Sequence, residues 1–170
     1  QVNGKTTDYY KALNKRSIIS GNQIYGAQGF GIALARINGI NVLNNYVHLA
    51  NVGKAYRRGI HLENRTNGVT VSGNTVELAG GTGYPSGIGM VTFTDYDTPD
   101  HFSNGARRID IVWNTVKGWG RGIIGKGFAK VKLKNNNLTQ FNGTLYDFSD
   151  YVPGGSYSFD LVEGNLPTNP

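Results

Sequence analysis

His61 and Glu63 stand two residues apart in Gly59-Ile-His-Leu-Glu63. Alternation along an extended strand puts both on one face, about 6–7 Å apart. An imidazole beside a carboxylate at that distance can move a proton. A second group of acids, Asp95, Asp97 and Asp100, falls in Thr92-Phe-Thr-Asp-Tyr-Asp-Thr-Pro-Asp-His-Phe102, with Asp147 and Asp150 farther along. Glycoside hydrolysis needs two carboxylates, about 5–5.5 Å apart for retention or 6.5–9.5 Å for inversion. Glu63 with Asp95 or Asp97 is therefore the candidate acid–base pair, with His61 beside it. Sugar recognition needs flat aromatic faces and fork-shaped donors, which Trp119, Tyr146, Arg121 and Arg58 supply. Lys126 or Arg121 offers positive charge to a developing anion. The three loop aspartates also make an oxygen donor set for Ca²⁺. Their spacing is not that of an EF-hand and no glycine lies among them, so no metal site is assigned and no cofactor is required.

These residues are positioned by a repeat. An aliphatic, two variable positions, Asn, one variable position and a second aliphatic recur as Ile19-Ser-Gly-Asn22-Gln-Ile24, Val42-Leu-Asn-Asn45-Tyr-Val47 and Val71-Ser-Gly-Asn74-Thr-Val76. The pattern continues as Ile111-Val-Trp-Asn114-Thr-Val116, Leu133-Lys-Asn-Asn136-Asn-Leu138 and a frayed Val162-Glu-Gly-Asn165-Leu-Pro167. Alternating strands such as Val69-Thr-Val71 and Ile109-Asp-Ile111 precede most copies. Short strands follow, usually opened by glycine: Gly31-Ile-Ala-Leu34, Gly59-Ile-His-Leu62, Gly87-Ile-Gly-Met90, Gly122-Ile-Ile124 and Thr144-Leu-Tyr146. One such unit cannot bury its apolar residues, whereas stacked parallel units can. A column of identical amides can then bond from one coil to the next. An antiparallel sandwich shares the short strands but does not demand the same residue at every corner.

Stacking predicts which outward residues become neighbours. Asn41, Thr70, Asp110, Lys132 and Leu161 form one column, with Lys134 and Glu163 in the next. On the strand after the Asn corner, Ala33, His61, Gly89, Ile124 and Tyr146 form a column beside Ala35, Glu63, Val91, Lys126 and Phe148. The second pair of columns, flanked by Arg57, Arg58, Trp119 and Arg121, reads as a shallow trough.

The chain has 170 residues, no cysteine, and 17 Lys and Arg against 11 Asp and Glu, for a net charge of +6. The absence of cysteine excludes disulfides and thiolate metal sites. The positive balance suits acidic glycans. Nucleic acid is disfavoured because the basic residues are scattered and no binding motif appears. No apolar run reaches the ~20 residues of a membrane span.

The repeats over residues 15 to about 166 resemble the right-handed parallel β-helix family, the fold of pectate lyases, alginate epimerases and bacteriophage tailspikes. The expected architecture is all-β: a right-handed single-stranded parallel β-helix of about six coils. Residues 1–14 would be an N-terminal cap or the remnant of an earlier coil. Residues 15–150 would form the helix, with a long loop at 92–105, and 151–170 the last partial coil and C-terminal end. The Asp-Pro-His-Asp signature of alginate epimerases is absent, since Asp97-Thr-Pro-Asp-His101 holds its letters in another order, and no pectate-lyase metal cluster is found. The resemblance implies an extracellular or virion-associated polysaccharide-binding domain that also depolymerises its ligand, and a homotrimer. The alternatives are a non-catalytic shaft of a trimeric fibre, and a lyase or epimerase acting on acidic polysaccharide.

Overall fold

The computed structural model describes residues 17–35, 37–50, 57–63, 66–79, 85–91, 106–126, 128–149 and 159–167. Among them the regular elements are strands, without helix: β1 (Ser17–Ser20), β2 (Gln23–Ala27), β3 (Phe30–Ala35), β4 (Ile40–Leu43), β5 (Tyr46–Leu49), β6 (Arg58–Glu63) and β7 (Asn67–Ser72). They continue as β8 (Thr75–Leu78), β9 (Ser86–Val91), β10 (Ala106–Val112), β11 (Thr115–Lys126), β12 (Phe128–Lys134), β13 (Phe141–Ser149) and β14 (Phe159–Glu163). The proposed cap at 1–14 and the loop at 92–105 lie outside the described residues.

Every strand pairing among the described residues is parallel. The first sheet runs β1-β4-β7-β10-β12-β14. A second stack, β2-β5-β8, continues onto the first part of β11, where Thr115–Gly118 face Thr75–Leu78. A third, β3-β6-β9, continues onto the second part of the same strand and then β13. The chain therefore winds through three faces per coil, giving the parallel β-helix that the repeats predict.

Alternation explains the core. Val42, Val71, Ile111 and Leu133 stack inward from the first sheet, and Val47, Val76, Val116 and Leu138 from the second. Ile60, Ile88 and Ile123 stack inward from the third, with Leu62 and Met90 beside them. Like lies over like because parallel strands repeat every ~4.8 Å. At the start of the third-sheet strands two successive residues turn inward, and the first must lack a side chain. A Cβ at Gly31, Gly59 or Gly87 would collide with Val47, Val76 or Val116.

The Asn corner is continuous. Asn22 donates to Asn45, Asn45 to Asn74, Asn74 to Asn114, Asn114 to Asn136 and Asn136 to Asn165, at Nδ2–Oδ1 distances of 2.8 to 3.0 Å. Each receiving Oδ1 also accepts the backbone N–H of the Asn one coil earlier. Each Nδ2 from Asn45 to Asn165 also reaches back to a carbonyl of the previous coil: Ile19, Val42, Val71, Ile111 and Leu133. Buried amides and corner backbone groups satisfy one another.

The residue before each ladder Asn is left-handed: Gly21, Asn44, Gly73, Trp113, Asn135 and Gly164, with φ between 54° and 66°. This conformation costs an ordinary residue about 1–2 kcal/mol and suits Gly and Asn. Asn44 lies over Gly73 and Asn135 over Gly164, where a Cβ would strike the amide. Trp113 is the exception to the Gly/Asn rule.

Asn114 is fully buried, and its loss would leave the Asn74 backbone N–H without its acceptor and remove the amide donor from the Val71 carbonyl and Asn136 Oδ1. Asn114→Ala should destabilise the protein by about 3–5 kcal/mol in urea unfolding. Asn114→Asp, which keeps the acceptor and loses the donor, should also destabilise it. A loss below about 1 kcal/mol for the alanine variant would show that the ladder contributes little.

Candidate functional site

The third sheet presents the outward columns that contain His61 and Glu63. Ala33, His61, Gly89 and Ile124 are aligned as expected, as are Ala35, Glu63, Val91 and Lys126. The last strand of this sheet, β13, is not. Tyr146 pairs with Ile123, and Asp147 stands opposite Ile124; likewise Gly125 pairs with Phe148, and Ser149 stands opposite Lys126. The physical reason is the missing glycine. Gly122 is aligned with Leu145, so Leu145 occupies the place taken by glycine in the preceding coils.

Tyr146 is consequently not an outward sugar platform. It packs against the core, 6.1 Å from the Phe148 ring, and its buried hydroxyl has no hydrogen-bond partner among the described residues. Desolvation pushes its phenol up to about 12. Asp147 takes the exposed position instead, with Oδ2 3.3 Å from Nη1 of Arg121. The carboxylate and the guanidinium are each about one-third exposed, so this pair contributes little to stability.

Trp119 lies just before Arg121, at the bend where β11 passes from the second face to the third. Gly118 and Gly120 on either side have φ of 97° and 140°. A Cβ on Gly118 would strike the Leu78 carbonyl, and one on Gly120 the Pro85 carbonyl. Only glycine permits this close approach. The tight passage sets the backbone on either side of Trp119, whose indole remains 38% exposed.

The middle of the proposed trough is filled. His61 is fully buried, with the Phe30 ring stacked on it at 4.3 Å and 19°. The Arg58 stem crosses Gly89, where a Cβ would lie 2.6 Å from Arg58 Cδ. Arg58 Nη1 then reaches His61 Nδ1 at 3.0 Å. A guanidinium only donates, so Nδ1 accepts and the imidazole proton sits on Nε2, 3.3 Å from Glu63 Oε2. Burial lowers the His61 pKa below its usual value, the Glu63 hydrogen bond opposes this, and the Arg58 charge adds to the lowering. His61 is therefore a neutral, positioning link, and its expected role as an exposed proton carrier is corrected. Arg58 is likewise buried and orients His61 in place of meeting substrate directly. Glu63 is the edge of this chain that solvent reaches, at 18% side-chain exposure.

Glu63 and Asp147 lie three strands apart on this face, about 14 Å across the sheet. That is too far for a glycosidase pair. Asp95, Asp97 and Asp100, the other proposed acids and Ca²⁺ donors, lie outside the described residues. So does the side chain of Lys126, whose backbone keeps its register opposite Val91. Among the described residues no cluster of three or more His, Cys, Asp or Glu could hold a metal ion.

Sequence alone marked Trp119, Arg121, His61 and Glu63 but missed the Arg58–His61–Glu63 order, the Phe30 cover and the Arg121–Asp147 pair. The absence of glycine at Leu145 was the available signal for the last of these.

A family model described as a right-handed β-helix region matches residues 6–94, just over half of the chain. No curated protein and no solved structure matches the chain.

Two outcomes test this geometry. Tyr146→Phe should leave stability unchanged or raise it by about 1 kcal/mol, because it removes a buried hydroxyl without a partner; a loss above that would indicate a bond to Tyr146. For His61 the unfolded chain takes up its proton near pH 6.5 while the folded protein resists. Folding stability should therefore be complete above that pH and fall as the solution is acidified toward the lowered folded pKa. His61→Gln should remove this component of the pH dependence in denaturant titrations, and an unchanged profile would place the titration elsewhere.

Proposed function

We propose that this chain, which belongs to the right-handed β-helix family, binds polysaccharide at the outer edge of its third sheet. The observation that carries this reading is Trp119, set between two obligatory glycines beside the partly exposed Arg121–Asp147 pair. An indole face takes the C–H surface of a sugar ring, while the guanidinium and carboxylate donate to and accept from its hydroxyls. The preset backbone limits the entropy lost on binding.

Depolymerisation is the finer part of the proposal. Glu63 is the acid–base residue, with Oε2 facing the Nε2–H of neutral His61 and the side chain at the solvent-reached edge of that chain. Its second carboxylate would come from Asp95 or Asp97, in the segment that begins directly after Val91, the register partner of Glu63. The setting proposed for the domain is extracellular or virion-associated, as in a tailspike.

Binding is tested by retention on immobilised bacterial capsules, O-antigens and acidic plant or algal glycans. Trp119→Ala and Arg121→Ala should each weaken capture of the retained glycan by about tenfold. Equal retention by both variants would remove the site. Release of reducing ends or unsaturated products, abolished by Glu63→Gln, tests the catalytic part; no product from any glycan would leave a binding domain.

A structural shaft is the second reading, favoured by the exposed apolar side chains of Ile18 and Leu166 in the first and last described coils. Sedimentation should then show a trimer in which Trp119 is shielded from quencher and unaffected by glycans. A monomer with accessible Trp119 would dismiss it.

A further inference from the structure

The first sheet carries three residues at backbone positions that favour other types. Asn38 bridges Asn67, Gly39 N–H bonds the Asn67 carbonyl, Asn67 pairs with Arg107, and Arg107 with Ala129. The following residues, Gly39, Gly68, Arg108 and Lys130, therefore form one corner column. All four are left-handed, with φ of 78°, 62°, 52° and 57°. The earlier coils use glycine there; the fourth and fifth place an Arg over a Lys, both exposed. Adjacent strands hold these cations on positions about 4.8 Å apart, each on a backbone conformation that is strained for a residue other than glycine. At the other end of β10, Trp113 breaks the Gly/Asn rule of the ladder corner and exposes its indole. Glycine would relieve all three positions.

We infer that coils four and five carry a second glycan site, on the outer face of the first sheet, that takes an acidic polysaccharide. Arg108 and Lys130 face the uronate carboxylates, and Trp113, five residues from Arg108 and roughly 16 Å along the strand, takes a sugar face farther along the same polymer. Between them lie the ion pairs Lys132–Asp110, at 3.9 Å, and Lys134–Glu163. Their carboxylates, with exposed Asp160 on the next coil, accept hydrogen bonds from the many hydroxyls of a sugar chain, which single-stranded DNA does not offer. That distinction favours a glycan over single-stranded DNA, which also binds cations and aromatics. The site is on a different face from Trp119 and Arg121 and does not depend on the third-sheet reading.

The test uses the full chain with three probes: polygalacturonate, neutral dextran and oligothymidylate. Polygalacturonate should bind, and the Arg108→Gly/Lys130→Gly double variant should weaken that binding by about tenfold or more. Trp113→Gly should weaken it as well. The glycine variants should melt at the same or a higher temperature than the parent, since glycine already occupies both corner columns. Lys117→Gln, which removes a cation from the second sheet, should bind as the parent does. The inference is overturned if the glycine variants keep full affinity, if Lys117→Gln loses as much, if neutral dextran binds equally, or if oligothymidylate binds with the same sensitivity. Should the glycine double variant fail to fold, Arg108→Asn/Lys130→Asn, which also suits a left-handed backbone, carries the same expectation and the same refutation.

Discussion

The amide ladder from Asn22 to Asn165 is the interaction on which the rest depends. A coil that turns sharply buries backbone N–H and C=O groups away from water, and each must find a partner. One Asn per coil answers several at once. Its oxygen takes an N–H and an amide from the coil before, and its nitrogen passes a bond to the coil after. Because donor and acceptor lie on opposite sides of the same planar group, the pattern continues from coil to coil without change of residue. The ladder thereby fixes the register of the first two sheets, which flank it directly, and their outward columns inherit that register.

A scaffold set this firmly can hold side chains in places that local preference opposes. Trp119 sits between glycines whose Cβ atoms would strike neighbouring carbonyls. His61 is buried on the outward side of a sheet, closed over by Phe30 and held by Arg58. Trp113, Arg108 and Lys130 occupy left-handed corners. Stacking of the apolar columns and the amides supplies the stability, and these exceptions draw on it.

Legibility in the sequence followed the strength of that register. The Lys132–Asp110 and Lys134–Glu163 neighbours were visible because inward aliphatics and the following Asn count the positions between them, and both pairs form. The last strand of the third sheet, β13, departs by one residue from the alignment that the repeat predicts, because Thr144-Leu-Tyr146 offers no glycine to mark the double inward turn. That single step moved Tyr146 from sugar platform to core and raised Asp147 to the surface beside Arg121. A one-residue shift near a bend exchanges the faces of a strand.

The repeat by itself determined the parallel stack, the Asn corner, the inward aliphatics and the outward neighbours of the first sheet, since all of these depend on spacing along the chain. Only the tertiary structure decided that His61 is enclosed, that Arg58 reaches it across Gly89, and that Arg121 meets Asp147. Those contacts depend on how long side chains travel between coils and on where a missing Cβ leaves room, and neither is a function of sequence distance.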